Sequence, residues 1–166
     1  MKIFLIGFMG SGKTTIGRRL AYITGFDFVD TDRFIEMQQG MTIAEIFARQ
    51  GEAAFREMEC AILRDLQKRE YAVVSTGGGM PCHGDNMDMM LAGGKVIYLN
   101  TSPQALSRRL IRSHTERPLI KGKTEAELQA YILKQLSERE PVYARAHIVV
   151  QTESFSMDEL LQSLKF

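Results

Sequence analysis

The 166-residue chain is predicted to be an α/β protein, with a parallel sheet covered by helices on both faces. Three observations lead to this fold class. Gly7-Phe8-Met9-Gly10-Ser11-Gly12-Lys13-Thr14 matches the phosphate-binding pattern G-x-x-x-x-G-K-[ST] without a mismatch. The segments on either side read as strand and then helix, the context that this loop requires. Further on, short runs rich in Val, Ile, Phe and Tyr recur between helix-patterned stretches, as strands buried on both faces do. The length suits one domain, residues 1–166, large enough to bury a core without disulfide or metal staples.

The elements follow in order. Lys2-Ile3-Phe4-Leu5-Ile6 is a short apolar strand. In the loop after it, glycines let the backbone curl so that several N–H groups face one anion. Lys13 supplies charge to the outer phosphates, and the Thr14 hydroxyl can ligate Mg²⁺. Residues 14–21 have helical spacing, and residues 26–30 form the second strand. Thr42-Ile43-Ala44-Glu45 has capping-box spacing and opens a short helix that ends near Gly51. A longer helix spans about 52–68, with Ala54, Met58, Ala61, Ile62 and Leu66 on one face. Strands are expected at 72–76, 95–100 and 148–151, and helices at 102–112, 125–138 and 158–164. Two insertions interrupt the alternation. Residues 31–71 hold two or three helices between the second and third strands, and the polar stretch at about 113–124 reads as a lid.

Composition narrows the function. A formal net charge of +1 gives no electrostatic case for nucleic-acid binding. The two cysteines, Cys60 and Cys82, form no C-x-x-C, and His83, His114 and His147 make no ligand-spaced cluster. Reduced thiols in a cytoplasmic protein are therefore expected. No apolar stretch approaches the roughly 20 residues of a membrane span, and the short run after Lys2 is not read as a signal peptide.

Parallel α/β sheets carry their sites at the carboxyl ends of their strands. Strand two ends in Asp30-Thr31-Asp32, two carboxylates that could face Mg²⁺ and an acceptor hydroxyl. The alternative at Asp32 is a cap on the following helix, residues 33–39. Strand three ends in Ser75-Thr76-Gly77-Gly78-Gly79, where exposed amides leave room for a ligand. No Asp ends that strand, which shifts the metal-assisting carboxylate to Asp30. Arg56 and Glu59 share a helix face, Arg117 lies in the lid, and Arg139-Glu140-Pro141-Val142-Tyr143 follows the next helix. Two arginines converging outside the phosphate loop would predict a carboxylate-bearing acceptor, because guanidinium and carboxylate pair in bidentate fashion.

Taken together, GFMGSGKTT, DTD, FREME, STGGG, RPL and REPVY, in this order and spacing, resemble the shikimate kinase family over nearly the whole chain. The resemblance implies a three-layer P-loop kinase fold similar to nucleoside monophosphate kinases, with a five-stranded parallel sheet in order 2-3-1-4-5. It implies Mg²⁺-dependent transfer of the ATP γ-phosphate to the 3-hydroxyl of shikimate, in the pathway to chorismate and aromatic amino acids. On this resemblance Gly10, Ser11, Gly12, Lys13, Thr14 and Thr15 hold the ATP phosphates, with Thr14 on the metal and Asp30 assisting it through water. Asp32 contacts the acceptor hydroxyls and is the candidate base. Arg56, Arg139 and the turn of Gly77, Gly78 and Gly79 hold shikimate, Glu59 orients Arg56, and Arg117 reaches the ATP phosphates. A monomer acting on ATP and shikimate, without nucleic acid or membrane, is expected. The family often places an arginine or similar residue against adenine after the last strand. Gln151-Thr152-Glu153-Ser154-Phe155-Ser156 has no cation there, and Arg108 or Arg109 is the candidate flank. The rivals are a gluconate- or nucleotide-type small kinase and a non-catalytic nucleotide-binding module. The guanine-reading N-K-x-D is absent.

Overall fold

Five strands, β1 (Lys2–Ile6), β2 (Asp27–Asp30), β3 (Ala72–Ser75), β4 (Lys95–Asn100) and β5 (Ile148–Gln151), form one parallel sheet in the order β2-β3-β1-β4-β5. The coordinates are a computed structural model that describes residues 1–114 and 117–165, Pro118 by its backbone alone. The order 2-3-1-4-5 implied by the resemblance is the order found. β1 lies at the centre, in register with β3 through Ile3↔Val73 and Leu5↔Ser75 and with β4 through Ile3↔Lys95 and Leu5↔Ile97.

Strand side chains alternate between two faces, and both faces are dry, which is why these strands read as unbroken apolar runs. Phe4, Ile6, Val74, Val96 and Tyr98 pack against α2 (Thr31–Gln39), α3 (Ile43–Leu66) and α4 (Asn86–Gly93) through Ile35, Ile46, Phe55, Leu63 and Met90. Ile3, Leu5, Val73, Ile97 and Leu99 pack on the opposite face against α1 (Lys13–Thr24) and α7 (Met157–Leu164). A third cluster joins Phe8 of the phosphate loop to Leu106 and Leu110 of α5 (Pro103–Arg112) and to Leu128 and Ile132 of α6 (Glu125–Tyr143). The Gly7–Thr14 loop is thus bolted to the two helices that flank the 113–124 segment.

The two helices expected around Gly51 are present as α3, broken at Gly51 with φ 84° and ψ 170°. The Thr42–Glu45 capping box closes in both directions. One helix was not expected, and one expectation needs correction. α4 does not announce itself in the sequence, because Met87 and Met90 are buried while Met89 and Leu91 also pack inward, leaving no clean 3.6-residue stripe. The Arg139–Tyr143 stretch does not follow α6 but forms its last turn, with Pro141 inside the helix. Proline removes one helical N–H there; the full burial of Tyr143 in the core offsets the loss.

Candidate active site

The phosphate loop joins β1 to α1. Gly12, the N-cap of α1, has φ 97°, a left-handed conformation that a side chain would strain. Lys13 folds back over its own loop, its Nζ donating to the carbonyls of Gly7 at 2.7 Å and Phe8 at 2.9 Å. Burial pulls the Lys13 ammonium down to about 8, against the pull of the Asp32 and Asp30 carboxylates. Thr14 Oγ1 donates to Asp30 Oδ2 at 2.8 Å and lies 3.4 Å from Ser75 Oγ. β2–β3 register places Asp30 directly opposite Ser75. Hydroxyl and carboxylate oxygens at adjoining strand ends are hard donors of the kind Mg²⁺ prefers, so this corner fits the ion.

The structure separates the two aspartates. Asp30, not Asp32, caps α2, its Oδ1 accepting the Arg33 N–H at 3.3 Å. Asp32 lies in the first turn of that helix, and its buried Oδ1 has no hydrogen-bond partner among the described residues. Burial raises the Asp32 carboxyl above the usual carboxylate range; Asp30 adds to the rise and Lys13 opposes it. The middle residue, Thr31, is buried and accepts the Gly77 N–H at 3.0 Å, tying the end of β2 to the glycine turn.

That turn leaves β3 anchored at Thr76, whose N–H and hydroxyl both donate to the Leu5 carbonyl, at 3.2 and 3.1 Å. The sequence suggests that its glycines leave room for a ligand; the space around two of them is taken by the protein's own charged side chains. A Cβ on Gly77 would sit 2.8 Å from both Asp32 Oδ1 and Glu59 Oε1. A Cβ on Gly79 would sit 2.7 Å from an Arg56 guanidinium nitrogen, and one on Gly78 would lie 3.3 Å from Arg139 Nη1 and 3.4 Å from the Gly7 carbonyl of the phosphate loop. Arg56 is held by Glu59 at 2.7 Å and Glu52 at 3.2 Å on the same helix. Burial pushes the Glu59 carboxyl up to about 7, with the Arg56 guanidinium pulling the other way. The Arg139 guanidinium carbon lies 5.4 Å from the centre of the Phe8 ring. Arg56 Nε, Glu59 Oε1, Arg117 Nε and Arg139 Nη1 are buried without a hydrogen-bond partner among the described residues. Buried polar atoms are seldom left so, and here they cluster where acceptor and phosphates are expected.

A cleft of about 530 Å³ runs along the loop. Gly10, Ser11, Gly12, Lys13, Thr14, Thr15, Asp30, Asp32, Gly78 and Arg117 line it. Arg56, Gly77, Gly79 and Arg139 do not; they meet at the glycine turn that bounds it. Arg117 enters ahead of a 3₁₀ turn, Pro118–Ile120, within the 113–124 segment, of which Thr115 and Glu116 fall outside the described residues. Of the two candidate flanks, Arg109 lines the cleft and donates to the Gly10 carbonyl at 3.1 Å, whereas Arg108 does not line it. Sequence reasoning missed Thr152 and Phe155, which line the same cleft from the segment after β5. The available signal was an aromatic ring just beyond the carboxyl end of a strand, on the edge where the other site residues gather.

The comparisons with known proteins agree with this geometry. A model of the shikimate kinase family matches residues 9–165. The shikimate kinase of Parabacteroides distasonis is 42% identical over 152 residues, spanning 92% of this chain and 88% of that protein. The crystal structure of shikimate kinase from Bacteroides thetaiotaomicron superposes with a TM-score of 0.89 at 38% identity, over 99% of this chain and 94% of the other. That of the Acinetobacter baumannii enzyme, solved in complex with shikimate, gives 0.88 at 35% identity, over 98% and 89%. A gluconokinase from Sinorhizobium meliloti gives 0.57 at 19% identity over 98% and 87%, a likeness of fold alone.

Proposed function

This chain belongs to the shikimate kinase family, and from that premise we propose how its own residues transfer the ATP γ-phosphate to the 3-hydroxyl of shikimate. The observation that carries the reading is the convergence, on one glycine turn, of two arginines and an aspartate whose buried Oδ1 has no hydrogen-bond partner among the described residues, within reach of the phosphate loop. Shikimate carries a carboxylate and ring hydroxyls; gluconate and AMP do not present that pairing on one rigid ring.

Loop amides and Lys13 take the ATP phosphates, and Arg117 approaches them from the lid. Phosphoryl transfer runs through a loose transition state, so positioning and charge neutralisation matter more than covalent assistance. Arg56 and Arg139 hold the acceptor carboxylate, with Glu59 fixing the Arg56 fork. Asp32 then meets an acceptor hydroxyl from the cleft side, aligns it and accepts its proton late in the transfer. Its raised affinity for a proton suits that task. Mg²⁺, held by the Thr14 hydroxyl with Asp30 assisting, would supply charge neutralisation on the ATP phosphates. Arg109 and Phe155 flank the nucleobase in place of the missing cation after β5.

Residues 1–166 act as one kinase domain, with 31–71 as the acceptor-binding insertion and 113–124 as the lid. The protein works as a cytoplasmic monomer on small molecules, without nucleic acid or membrane. The net charge of +1 offers no electrostatic attraction to nucleic acid, and among the described residues no helix is long and apolar enough to cross a membrane. A coupled ADP-release assay with shikimate, gluconate and AMP tests the reading. Turnover with shikimate alone is expected; preferential turnover of gluconate or AMP would overturn it.

A further inference from the structure

We propose that Tyr143 is a positioning residue for the acceptor, its hydroxyl fixing the peptide that joins Gly78 to Gly79 so that the Gly79 N–H faces the acceptor carboxylate. This rests on the functional reading above. Tyr143 follows Arg139 by four residues, one turn along α6, so a single helix end presents the guanidinium and the hydroxyl on the same face. The hydroxyl donates to the Gly78 carbonyl at 2.5 Å. Tyr143 is fully buried, and its ring packs on Tyr98 with centroids 5.0 Å apart. Tyr98 sends its own hydroxyl elsewhere, to Glu140 at 2.7 Å.

The consequence follows from peptide geometry. In a trans peptide the carbonyl and the N–H point in opposite directions, and the described chain has no cis bond. With the Gly78 carbonyl held by Tyr143, the Gly79 N–H points away from α6. The rest of the turn is already engaged: the Gly77 N–H by Thr31, the Gly77 carbonyl by Met80, the Gly79 carbonyl by Cys82. The N–H groups of Gly78 and Gly79 have no partner among the described residues. Arg139 lies beside Gly78 and Arg56 beside Gly79, so two amides and two guanidinium groups gather on one turn, a donor set complementary to a carboxylate. A glycine peptide has no side chain to hold its plane, and an external clamp supplies the missing constraint.

Tyr143→Phe removes the hydroxyl and keeps the ring. Tyr98→Phe removes a buried hydroxyl from the same ring pair without touching the turn, and so serves as the packing control. One lost hydrogen bond of this kind corresponds to about a tenfold change. Tyr143→Phe should raise the shikimate KM and the calorimetric shikimate Kd by about that factor. Its ATP KM should stay within about twofold of the parent value, and Tyr98→Phe should leave shikimate affinity within the same margin. Unchanged shikimate affinity in Tyr143→Phe, an equal loss in both variants, or a parallel loss of ATP affinity would overturn the inference. If Tyr143→Phe does not fold, the unaltered protein decides: amide resonances of Gly78 and Gly79 should shift on titration with shikimate, and unmoved resonances overturn the inference. Failure of the unaltered chain to phosphorylate shikimate would overturn the functional reading as well; turnover with an indifferent Tyr143→Phe overturns this inference alone.

Discussion

The phosphate loop and the glycine turn both depend on glycine, for different physical reasons. In the loop, Gly10 and Gly12 sit at φ 82° and 97°, and a Cβ on Gly12 would find nothing closer than 3.8 Å. At Gly12 the backbone itself forbids a side chain while the surroundings leave room. In the turn, Gly79 has φ −84°, which any residue adopts, yet a Cβ would meet Arg56 at 2.7 Å. There the backbone permits a side chain and the neighbours forbid it. The loop is a local device, closed by Lys13 onto carbonyls five and six residues away. The turn is a meeting point of β3 with α2, α3 and α6, its partners supplied by Thr31, Glu59, Arg56 and Tyr143. A contiguous motif carries its own geometry; a discontinuous one borrows it from the fold.

Lys13→Ala should break the local device most severely. With the ammonium gone, kcat should fall by about 10³-fold, the upper range for one preorganised electrostatic group. The circular dichroism spectrum should stay native, and near-parent kcat would remove Lys13 from the chemistry.

Asp32→Asn tests the seam between the two regions. Because Asp30 caps α2 and Asp32 does not, the amide should leave the melting temperature unchanged or raised, as a buried, poorly solvated carboxylate disappears. kcat should nevertheless drop by about 10²-fold or more, the scale of general-base contributions. Steady-state kinetics with a thermal melt on the same sample checks both. A normal kcat would return Asp32 to a structural role.

The two glycines can then be set against each other. Arg56→Ala should weaken shikimate binding by about one to two orders of magnitude, the worth of a charge-assisted hydrogen bond, with ATP affinity nearly constant. Gly79→Ala should do the same by displacing the Arg56 guanidinium. Gly79→Ala combined with Arg56→Ala should then cost little more than either alone. Gly12→Ala should instead raise the ATP KM, and no trimming of Ile16 beside it should restore function, since the strain is in φ. Additive losses in the Gly79 and Arg56 pair would contradict the steric account.

The smallest effect is in pH. Lys13 in the free protein sits at about 8, below its ordinary value, because burial disfavours its charge. On the proposed role of Lys13 the protonated form takes the ATP phosphates, so kcat/KM for ATP should fall as pH rises past about 8, approaching tenfold per unit. Bound phosphates raise the ammonium pKa, so the limb in kcat should move to higher pH. For stability the sign is opposite: above pH 8 and below the unfolded value near 10.4, the unfolded chain holds more protons at this site. Lys13 alone therefore makes the fold more stable as pH rises through that window. A pH series of initial rates at low and at saturating ATP separates the two limbs.

Much of this was legible in the sequence. The strand pattern gave all five strands, and the spacing from Gly7 to Thr14 placed a glycine-rich loop where β1 meets α1. The Thr42 capping box and the Arg56–Glu59 pair are local, and local spacing fixes which residues can touch. Four features escaped. α4 lacks a helical stripe because it packs on several sides. Phe155 reaches the cleft from the far end of the chain. Thr31 looks like a spacer between two aspartates until its hydroxyl is found under Gly77. The capping role given as the alternative for Asp32 belongs to Asp30, two residues earlier, and only the backbone path at the end of β2 decides that.

By itself the sequence determined what periodicity and contiguous motifs encode: a parallel α/β fold, a glycine-rich G-x-x-x-x-G-K-T loop at one helix start, and a set of charged residues at strand ends. Tertiary structure alone decided which of those charges meet. Arg56 and Arg139 lie on different helices, 83 positions apart by their numbers, and come together only because β3 delivers Gly78 and Gly79 between them. Pairwise spacing along a chain constrains near neighbours through helix and strand periods, but side chains so far apart are brought together by sheet order and helix packing.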